Sequence, residues 1–422
     1  MAAHLARRAL RSAVVSLTRM RHVVVMVATS YPRFPGDGVG SFMEPIAKGI
    51  AARGHEVHLV APWHPAITRG REDEGVFFHF FRYAPMPSLN VFGYASGLQA
   101  DTRLKNAAWM VAPAALAAGW FKAMRVAQKR RATVMHAHWV IPGGVIGAMA
   151  ARRLPLVVSL HGSDVFVAER HALVGRVARS VFARAAWVTA CSDDLHQRAL
   201  TLGAVPAATE TVPYGVDLRR FAPDATSRTD VRATYGVGDA PLIVSAGRLV
   251  SKKGFEVLID AVVRLRESAP TTRLLIAGDG DLRDALTARA TRLDQPVLIG
   301  NQSQDAIAKL AAAADIVAVP SVHDEAGNVD GLPNFALEAL ATGTPVVASR
   351  VGGLPQAIEH GVTGLLVPER DVAALAGALA ALLVDPGRRR VLGQAAREAV
   401  ARNFSWQAVA ERLEGIYDHV GR

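Results

Sequence analysis

The sequence predicts an α/β protein made of two Rossmann-like domains, each a doubly wound parallel sheet, that face each other across a cleft. Apolar strand-like runs alternate with amphipathic helical stretches, and this rhythm is typical of a parallel sheet with helices on both faces. The rhythm starts afresh after a polar stretch at residues 223–239. The chain has 422 residues, which is enough for two domains of ordinary size.

The first domain is predicted at residues 22–222, behind a basic N-terminal extension at residues 1–21. Its strands are short apolar runs, and a helix at residues 42–53 follows the first of them. Polar residues that end such strands face the ligand crevice of an open sheet. The predicted strands are residues 23–30, 57–62, 77–83, 134–139, 156–161 and 187–192.

The second domain is predicted at residues 223–404 and repeats the same pattern. A last helix, residues 405–420, begins at Ser405, a residue type that caps helix N-termini. The predicted strands are residues 242–246, 274–277, 297–299, 316–320 and 345–348. The predicted helices are residues 255–266, 281–292, 303–313 and 333–341.

Charge is spread unevenly along the chain, whose net charge is +11. Residues 1–222 hold 27 Lys and Arg against 13 Asp and Glu, whereas residues 223–422 hold 21 against 24. The first domain is therefore expected to meet an anionic partner. Phe121 precedes Lys122 and Arg125 as in a membrane-interface helix, although a solvated helix face is the simpler explanation of any single cluster. No zinc spacing or basic–aromatic module indicates nucleic acid.

The cysteine content, the apolar stretches and the N-terminal residues bear on the cellular location of the protein. Cys191 is the single cysteine, so no intramolecular disulfide forms, and a reducing, cytoplasmic location is expected. The longest apolar stretch, residues 107–121, is too short to span a membrane and predicts a buried helix. Residues 1–21 hold five arginines and no acidic residue, and in this they resemble an organellar transit peptide. An upstream start codon ahead of Met20, or a basic surface helix, explains these residues equally well.

Two carboxylates and two cations predict a site for a sugar nucleotide. Asp330 and Glu338 lie eight positions apart, and a carboxylate pair suits sugar and ribose hydroxyls. Arg248 and Lys253 follow an apolar strand-like run, and such a cation pair suits phosphates. A cleft between two α/β domains is the expected place for such a site.

Two glycine loops are weaker features. Gly38 and Gly40 lie between the first strand and its helix, where backbone N–H groups can approach an anion. This loop and the loop at Gly278 and Gly280 both lack the third glycine of a dinucleotide fingerprint. Neither loop therefore predicts an NAD site.

A series of short segments occurs in a fixed order along most of the chain, and the most specific of them runs from Gly331 through Leu332, Pro333 and Asn334 to Glu338. In this order and spacing, the segments resemble glycosyltransferase family 4, from about residue 22 to the end. The family consists of retaining sugar-nucleotide transferases of the GT-B fold. The matching segments are residues 36–40, 136–139, 161–164, 212–217, 245–248, 253–254, 277–280, 319–321, 331–348, 352–353 and 364–367.

The resemblance implies a role for each principal residue. Arg248 and Lys253 would hold the diphosphate and neutralise the charge that builds on it as the sugar leaves. Glu338 would bind the ribose hydroxyls, and Asp330 would contact the transferred sugar. His161 would lie beside that sugar. The resemblance thus names His161, Arg248, Lys253 and Asp330 as the catalytic residues.

The resemblance also implies further contacts and a division of labour. The second domain would bind the donor and the first the acceptor, with the last helix crossing back onto the first domain. The helix that begins near Pro333 would offer N–H groups to the phosphates. His138 and Asp164 are predicted to contact the acceptor. The remaining predicted donor contacts are Gly38, Gly40, Gly278, Gly331, Leu332, Pro333 and Asn334.

The implied reaction passes through an oxocarbenium-like transition state on the front face of the sugar, and the leaving phosphate helps to deprotonate the acceptor. No metal or other cofactor is expected, because Arg248 and Lys253 replace the cation. Asp279 and Asp281 match the Asp-x-Asp of metal-dependent sugar transferases, but here the acids open a helix.

A metal site built on histidines is a further alternative. His136 and His138 share one face of a predicted strand, and His161 ends the next strand. No carboxylate or cysteine stands at ligand spacing, so the pattern does not predict a metal cluster there.

Two residues depart from the family pattern. Asp330 replaces the usual glutamate and is one methylene shorter, and Gln356 stands where glutamate is common. A sugar-nucleotide epimerase of similar fold, or a non-catalytic nucleotide-sugar-binding protein, remains an alternative. For the acceptor, a basic and partly apolar first domain suits a lipid-linked carrier at the inner face of the cell membrane or an anionic cell-envelope glycan.

Overall fold

The structure is a computed structural model that describes residues 20–86, 89–90, 93–94, 98–99, 103–104, 106–325 and 327–421. Most of the predicted basic extension, residues 1–19, lies outside the described part of the chain. The described residues form two α/β domains, each built on its own sheet.

The first domain is built on an eight-stranded sheet. Its strands are β1 (Val23–Val27), β2 (Glu56–Pro62), β3 (Glu72–Asp73), β4 (Val76–Phe81), β7 (Val134–His138), β8 (Leu156–Leu160), β9 (Trp187–Ala190) and β10 (Thr209–Thr211), and a separate short pair is formed by β5 (Leu98–Gln99) and β6 (Arg103–Leu104). The order is β10-β9-β8-β7-β1-β2-β4-β3, and only the β3–β4 pair is antiparallel. The neighbouring strands β7 and β8 are buried along their whole length, as strands of a parallel sheet covered on both faces are.

Helices cover both faces of this sheet. They are α1 (Met43–Ala52), α2 (Asn106–Arg130), α3 (Val145–Ala151), α4 (Ser163–Arg170), α5 (Ala172–Arg184) and α6 (Asp193–Thr201). Each of α4 and α6 begins directly after a strand end, which places its first turn at the carboxyl edge of the sheet.

The second domain is built on a five-stranded parallel sheet in the order β12-β11-β13-β14-β15. The strands are β11 (Leu242–Ala246), β12 (Arg273–Ala277), β13 (Ile316–Val319), β14 (Val346–Ser349) and β15 (Leu365–Val367). The helices are α7 (Ala225–Thr234), α8 (Phe255–Leu265), α9 (Arg283–Ala290), α10 (Gln304–Ala313), α11 (Asn334–Ala341), α12 (Leu354–Ala357), α13 (Val372–Leu383) and α14 (Pro386–Asn403). Two parallel-sheet α/β domains confirm the predicted fold class.

One predicted strand, residues 297–299, does not form. Leu298 makes only an isolated bridge with Ile276, because Pro296 and Gly300 bound a run too short to extend the ladder. Sequence patterns did not indicate β15, which is three residues long.

The last helix, α15 (Trp406–Val420), packs against α1 of the first domain. Ser405 caps it, with Oγ accepting a hydrogen bond from the backbone N–H of Ala408 at 3.1 Å. Arg53 donates hydrogen bonds to the buried carboxylate of Glu414, and the Tyr417 hydroxyl lies 2.7 Å from Nδ1 of His136 in the first sheet. The chain therefore leaves the second domain and ends on the first.

The helix α2 contains 25 residues and includes the whole of the stretch at residues 107–121 that was predicted as a buried helix. From residue 110 onward this stretch is buried along one side only, since Met110 and Phe121 are 83% and 54% exposed. Lys129 and Arg130 lie in its last turn. No helix in the described part of the chain is long and apolar enough to span a membrane.

Candidate active site

The loops after β11 and β12 lie side by side at the carboxyl edge of the second sheet. The backbone N–H of Gly247 donates to the carbonyl of Ala277 at 2.9 Å. A Cβ on Gly278 would lie 1.9 Å from the carbonyl oxygen of Gly247, so only glycine permits this contact. Arg248 and the short 3₁₀ turn that carries Lys253 follow directly along the same edge.

Asp330 lies between two lysines at this edge. Its Oδ1 is 3.2 Å from Nζ of Lys252, and its Oδ2 is 2.6 Å from Nζ of Lys253. All three side chains are mostly buried. Burial alone would raise the pKa of Asp330, but Lys253 and Lys252 outweigh it and hold that pKa well below its usual range. The site therefore contains two buried ammonium groups with one carboxylate between them.

Glu338 lies on α11, eight residues further along the chain. Burial raises the pKa of its carboxyl to about 7, and the positive charges of Arg220 and Lys253 offset this only in part. Unlike Asp330, Glu338 therefore changes its charge near neutral pH. Two carboxylates of one site thus have very different acidities, which is typical of functional sites.

Apart from Oδ2 of Asp330, which forms an ion pair with Lys253, two buried polar atoms beside this edge have no hydrogen-bond partner among the described residues. They are Oγ of Ser321, which follows β13, and Oδ1 of Asn334, the first residue of α11. Ser321 is 1% exposed. A buried polar atom without a partner costs free energy unless a ligand or water supplies the bond. Both atoms therefore favour a polar ligand at this place.

His161 directly follows β8 and marks the carboxyl edge of the first sheet. Its Nε2 lies 3.0 Å from Nδ1 of His138, and its Nδ1 lies 2.7 Å from the Tyr214 hydroxyl. Its ring packs on Phe42 with ring centroids 4.7 Å apart. Burial, and to a lesser extent the nearby His136, lowers the pKa of His161 to about 3, so the imidazole is neutral at physiological pH.

His138 and Asp164 are both buried beneath the surface of the first domain. The Asp164 carboxylate accepts hydrogen bonds from the backbone N–H groups of Val140 at 2.6 Å and Gly162 at 3.1 Å. Burial raises the pKa of Asp164 to about 6. These contacts fix the turns after β7 and β8 and orient His161, and the acceptor contacts of both residues stay predictions.

The glycine loop before α1 has a fixed shape. Asp37 is buried, and its carboxylate accepts hydrogen bonds from Nε of Arg33 at 2.6 Å and from the backbone N–H of Val39 at 3.2 Å. Gly40 has a φ of +67°, and a Cβ there would lie 3.1 Å from Oγ of Ser30. Gly38 is exposed with no atom near its Cβ position, so this glycine leaves room in front of the loop.

The two edges meet across the cleft. A Cβ on Gly331 would lie 2.6 Å from Cδ1 of Leu195 in the first domain. A Cβ on Gly162 would lie 3.9 Å from the backbone nitrogen of Gly331. Gly162 follows His161, and Gly331 follows Asp330. The contact therefore brings His161 of the first domain close to Asp330 of the second.

Polar contacts also join the domains, and two of them involve amide side chains. Nη2 of Arg170 donates to Oδ1 of Asn328 at 2.8 Å, and the backbone N–H of Asp193 donates to Oε1 of Gln356 at 3.3 Å. Gln356, which departs from the family pattern, thus has a contact in the first domain.

Both domains match known families of sugar transferases. Residues 36–220 match the family described as Glycosyltransferase Family 4, and residues 227–399 match that described as Glycosyl transferases group 1. A GDP-mannose-dependent alpha-(1-6)-phosphatidylinositol monomannoside mannosyltransferase of Mycolicibacterium smegmatis is 31% identical over 402 residues, which cover 92% of this chain and 97% of that protein. The chain belongs to glycosyltransferase family 4. It is a glycosyltransferase, as its sequence predicts.

Further relatives and solved structures agree with this assignment. A D-inositol 3-phosphate glycosyltransferase of Saccharomonospora viridis is 40% identical over 228 residues, 51% of each chain. Sucrose-phosphate synthase from Thermosynechococcus elongatus has a TM-score of 0.77 at 21% identity, covering 94% of this chain and 99% of that one. HepE of Anabaena, in complex with UDP and glucose, has a TM-score of 0.75 at 21% identity, covering 94% and 100%. These likenesses confirm the GT-B fold.

The site of this transferase contains residues that the sequence did not single out. Lys252 shares Asp330 with Lys253, and Tyr214 fixes the ring of His161. Ser321 and Asp37 contribute an unpartnered hydroxyl and the hydrogen bonds of the glycine loop. A lysine doublet and a Pro-Ser pair at strand ends are visible in the sequence, whereas the partners of Tyr214 and Asp37 depend on the fold.

The metal sites considered from the sequence, at the three histidines and at Asp279 and Asp281, are not completed by further ligands in the described part of the chain. Among the described residues, no group of three or more His, Cys, Asp or Glu side chains is arranged to hold a metal ion. Nδ1 of His136 lies 2.7 Å from the Tyr417 hydroxyl and its Nε2 lies 2.8 Å from the Ser159 hydroxyl, so this histidine joins the first sheet to α15.

Proposed function

We propose that this glycosyltransferase is a retaining enzyme that transfers a sugar from a GDP- or UDP-sugar to a lipid-linked or cell-envelope glycan acceptor, without a metal. The observation that carries the proposal is the pair of buried lysines at Asp330. These lysines lie at the edge of the second sheet that faces His161. Such a concentration of buried positive charge suits the diphosphate of a nucleotide sugar.

Each end of the donor has suitable partners in this arrangement. Arg248 and Lys253 would contact the diphosphate, together with the backbone N–H groups at the start of α11. Glu338, ionised above its pKa of about 7, would accept hydrogen bonds from the two ribose hydroxyls. The unpartnered Oγ of Ser321 and Oδ1 of Asn334 would gain hydrogen bonds from the same ligand.

The chemistry of the first domain suits an oxocarbenium-like transition state. The neutral ring of His161 adds no positive charge beside a sugar that becomes positively charged as its bond to phosphate breaks. The acceptor hydroxyl would bond to the anomeric carbon from the face that the phosphate leaves, and its proton would pass to the departing diphosphate. The close contact at Gly331 would keep water away from the reacting carbon.

Relatives favour GDP-mannose as the first donor to test. The mycobacterial relative that is similar along nearly the whole chain is named as GDP-mannose-dependent and acts on a phosphatidylinositol mannoside. A lipid-linked acceptor of that kind would also suit the basic charge of the first domain.

Thermal melting of the protein with a panel of GDP- and UDP-sugars tests the donor proposal. We expect one nucleotide class to raise the melting temperature equally with EDTA and with Mg²⁺, because ligand binding to the folded state stabilises it. The Lys253→Ala variant should lose this shift. Stabilisation that requires Mg²⁺ would contradict metal independence. In a separate incubation without an acceptor, conversion of the stabilising nucleotide sugar into an epimer would favour an epimerase.

We propose that α2 brings the enzyme to an anionic membrane that contains its acceptor. Met110 and Phe121 are exposed on one side of this helix, where Pro113, Ala114 and Ala117 are exposed as well. The exposed Arg125 continues this side by one further turn, and Lys129 and Arg130 are exposed in the last turn of the helix. Exposed apolar side chains followed by basic ones fit the boundary between acyl chains and anionic headgroups.

Sedimentation with lipid vesicles tests this contact. Binding should require anionic lipid and weaken from low to high salt, because salt screens the attraction of exposed charges. The Phe121→Ser variant should bind more weakly than the wild type. Val384→Ser, which changes a residue of the second domain that is 82% exposed, is the matched control and should bind normally. Equal binding by the Phe121→Ser and Val384→Ser variants, or binding that does not change with salt concentration, would contradict the proposal.

A further inference from the structure

We propose that Asp330 is an internal counter-ion that occupies the diphosphate position of the empty enzyme, and that the donor displaces it from Lys252 and Lys253. The inference rests on the proposed function, because it takes the lysines as the diphosphate site. It adds a competition between a protein carboxylate and the ligand for the same two ammonium groups.

The geometry points to competition because one carboxylate serves both lysines. Its Oδ1 lies 3.2 Å from Nζ of Lys252, and its Oδ2 lies 2.6 Å from Nζ of Lys253. A buried lysine is costly without a nearby negative charge, so the carboxylate stabilises the empty site. An incoming diphosphate would bring more negative charge to the same nitrogen atoms and would take over this role.

Displacement of Asp330 would then make its contact with the transferred sugar depend on binding of the diphosphate. Asp330 precedes Gly331, whose backbone nitrogen lies close to the turn after His161. A carboxylate released from the lysines would remain at this junction of the domains, beside the place of the transferred sugar. Its predicted contact with a sugar hydroxyl would therefore form only after the diphosphate is seated.

The same sheet provides a matched carboxylate at its opposite edge. Asp315 precedes β13 and pairs with Nη2 of Arg228 at 2.7 Å and Nη2 of Arg232 at 2.6 Å. Asp330 follows β13 and pairs with two lysines. Asp315→Asn therefore removes a carboxylate shared by two cations without touching the cleft.

The test is calorimetric titration of the full chain with inorganic pyrophosphate, which has neither base nor sugar. We expect Asp330→Asn to bind pyrophosphate about tenfold more tightly than the wild type, because the competing charge is gone. Asp330→Glu keeps the charge and should bind within about threefold of the wild type. The gain should disappear in the double variant Asp330→Asn, Lys253→Ala, whereas any gain in Asp315→Asn should survive Lys253→Ala.

Other outcomes separate this inference from the proposed function. Pyrophosphate binding that depends on Lys253 but is unchanged in Asp330→Asn would overturn the inference and leave the diphosphate site intact. Weaker binding by Asp330→Asn would also overturn it, since the carboxylate would then position the lysines for the ligand. No binding to either protein would overturn both. If the Asp330→Asn protein melts near the assay temperature, its melting temperature is measured at increasing pyrophosphate concentrations instead. The inference requires a larger rise in melting temperature for this variant than for the wild type.

Discussion

Replacing Lys253 with alanine should lower kcat/KM for sugar transfer by about 10³-fold, the size of effect seen when one group that stabilises transition-state charge is removed. The ammonium group lies 2.6 Å from Asp330 and next to the loop of Arg248. Negative charge grows on the diphosphate as the sugar leaves, and we expect Lys253 to stabilise it more in the transition state than in the ground state. The fall should therefore appear in kcat as well as in KM. Steady-state kinetics with the donor chosen by the melting panel measures both.

The control is Lys309→Ala, which removes an exposed lysine of the same domain. It changes the net charge equally and should leave kcat/KM near the wild-type value. Asp330 keeps Lys252 at 3.2 Å in the Lys253 variant, so the carboxylate remains paired and the fold should persist. A Lys253→Ala enzyme with kcat within about threefold of the wild type would contradict the assigned role.

The fold could be predicted from the sequence because its strands are strongly patterned. The strands β8 and β11 are apolar runs that each contain a single serine, and such runs identify a buried parallel sheet. The short elements could not be predicted in this way. The strand β15 was not predicted, and the strand predicted at residues 297–299 is only a bridge at Leu298, because both depend on hydrogen bonds from neighbouring strands rather than on a pattern of their own.

The site could be predicted only in part, for a similar physical reason. Residues such as Arg248, Lys253 and Glu338 belong to segments with a recognisable order, so their types and positions are informative. The pairing of Asp330 with two lysines is a contact between loops 77 residues apart, since Lys253 and Asp330 follow different strands. The same holds for Tyr214 and His161, which meet only after the first sheet has formed.

The burial of the candidate site explains why its two carboxylates differ. Asp330 loses water but gains two ammonium groups, whereas Glu338 loses water and is only weakly compensated by more distant positive charges. The first carboxylate is therefore ionised at all physiological pH values. The second is ionised only when pH exceeds about 7 or when a ligand stabilises its charge.

Replacing Glu338 with glutamine should weaken donor binding by about tenfold to 100-fold at pH 8, because an amide cannot accept hydrogen bonds from two ribose hydroxyls as a carboxylate does. In the wild type, donor affinity should rise as pH increases from 6 to 8, since Glu338 loses its proton near pH 7 and its anion is the form that binds.

The variant should show a flat profile in the upper part of this range. Asp164, whose pKa is about 6, contributes only at the lower end and does so equally in both proteins. His161, with a pKa of about 3, stays neutral throughout. Glu398→Gln, a change at an exposed carboxylate, is the control and should keep the wild-type profile. Calorimetric titration with the intact nucleotide sugar avoids the terminal phosphate that titrates near pH 6 in a nucleoside diphosphate. An identical pH dependence in wild type and Glu338→Gln would place the titrating group elsewhere and remove the ribose role from Glu338.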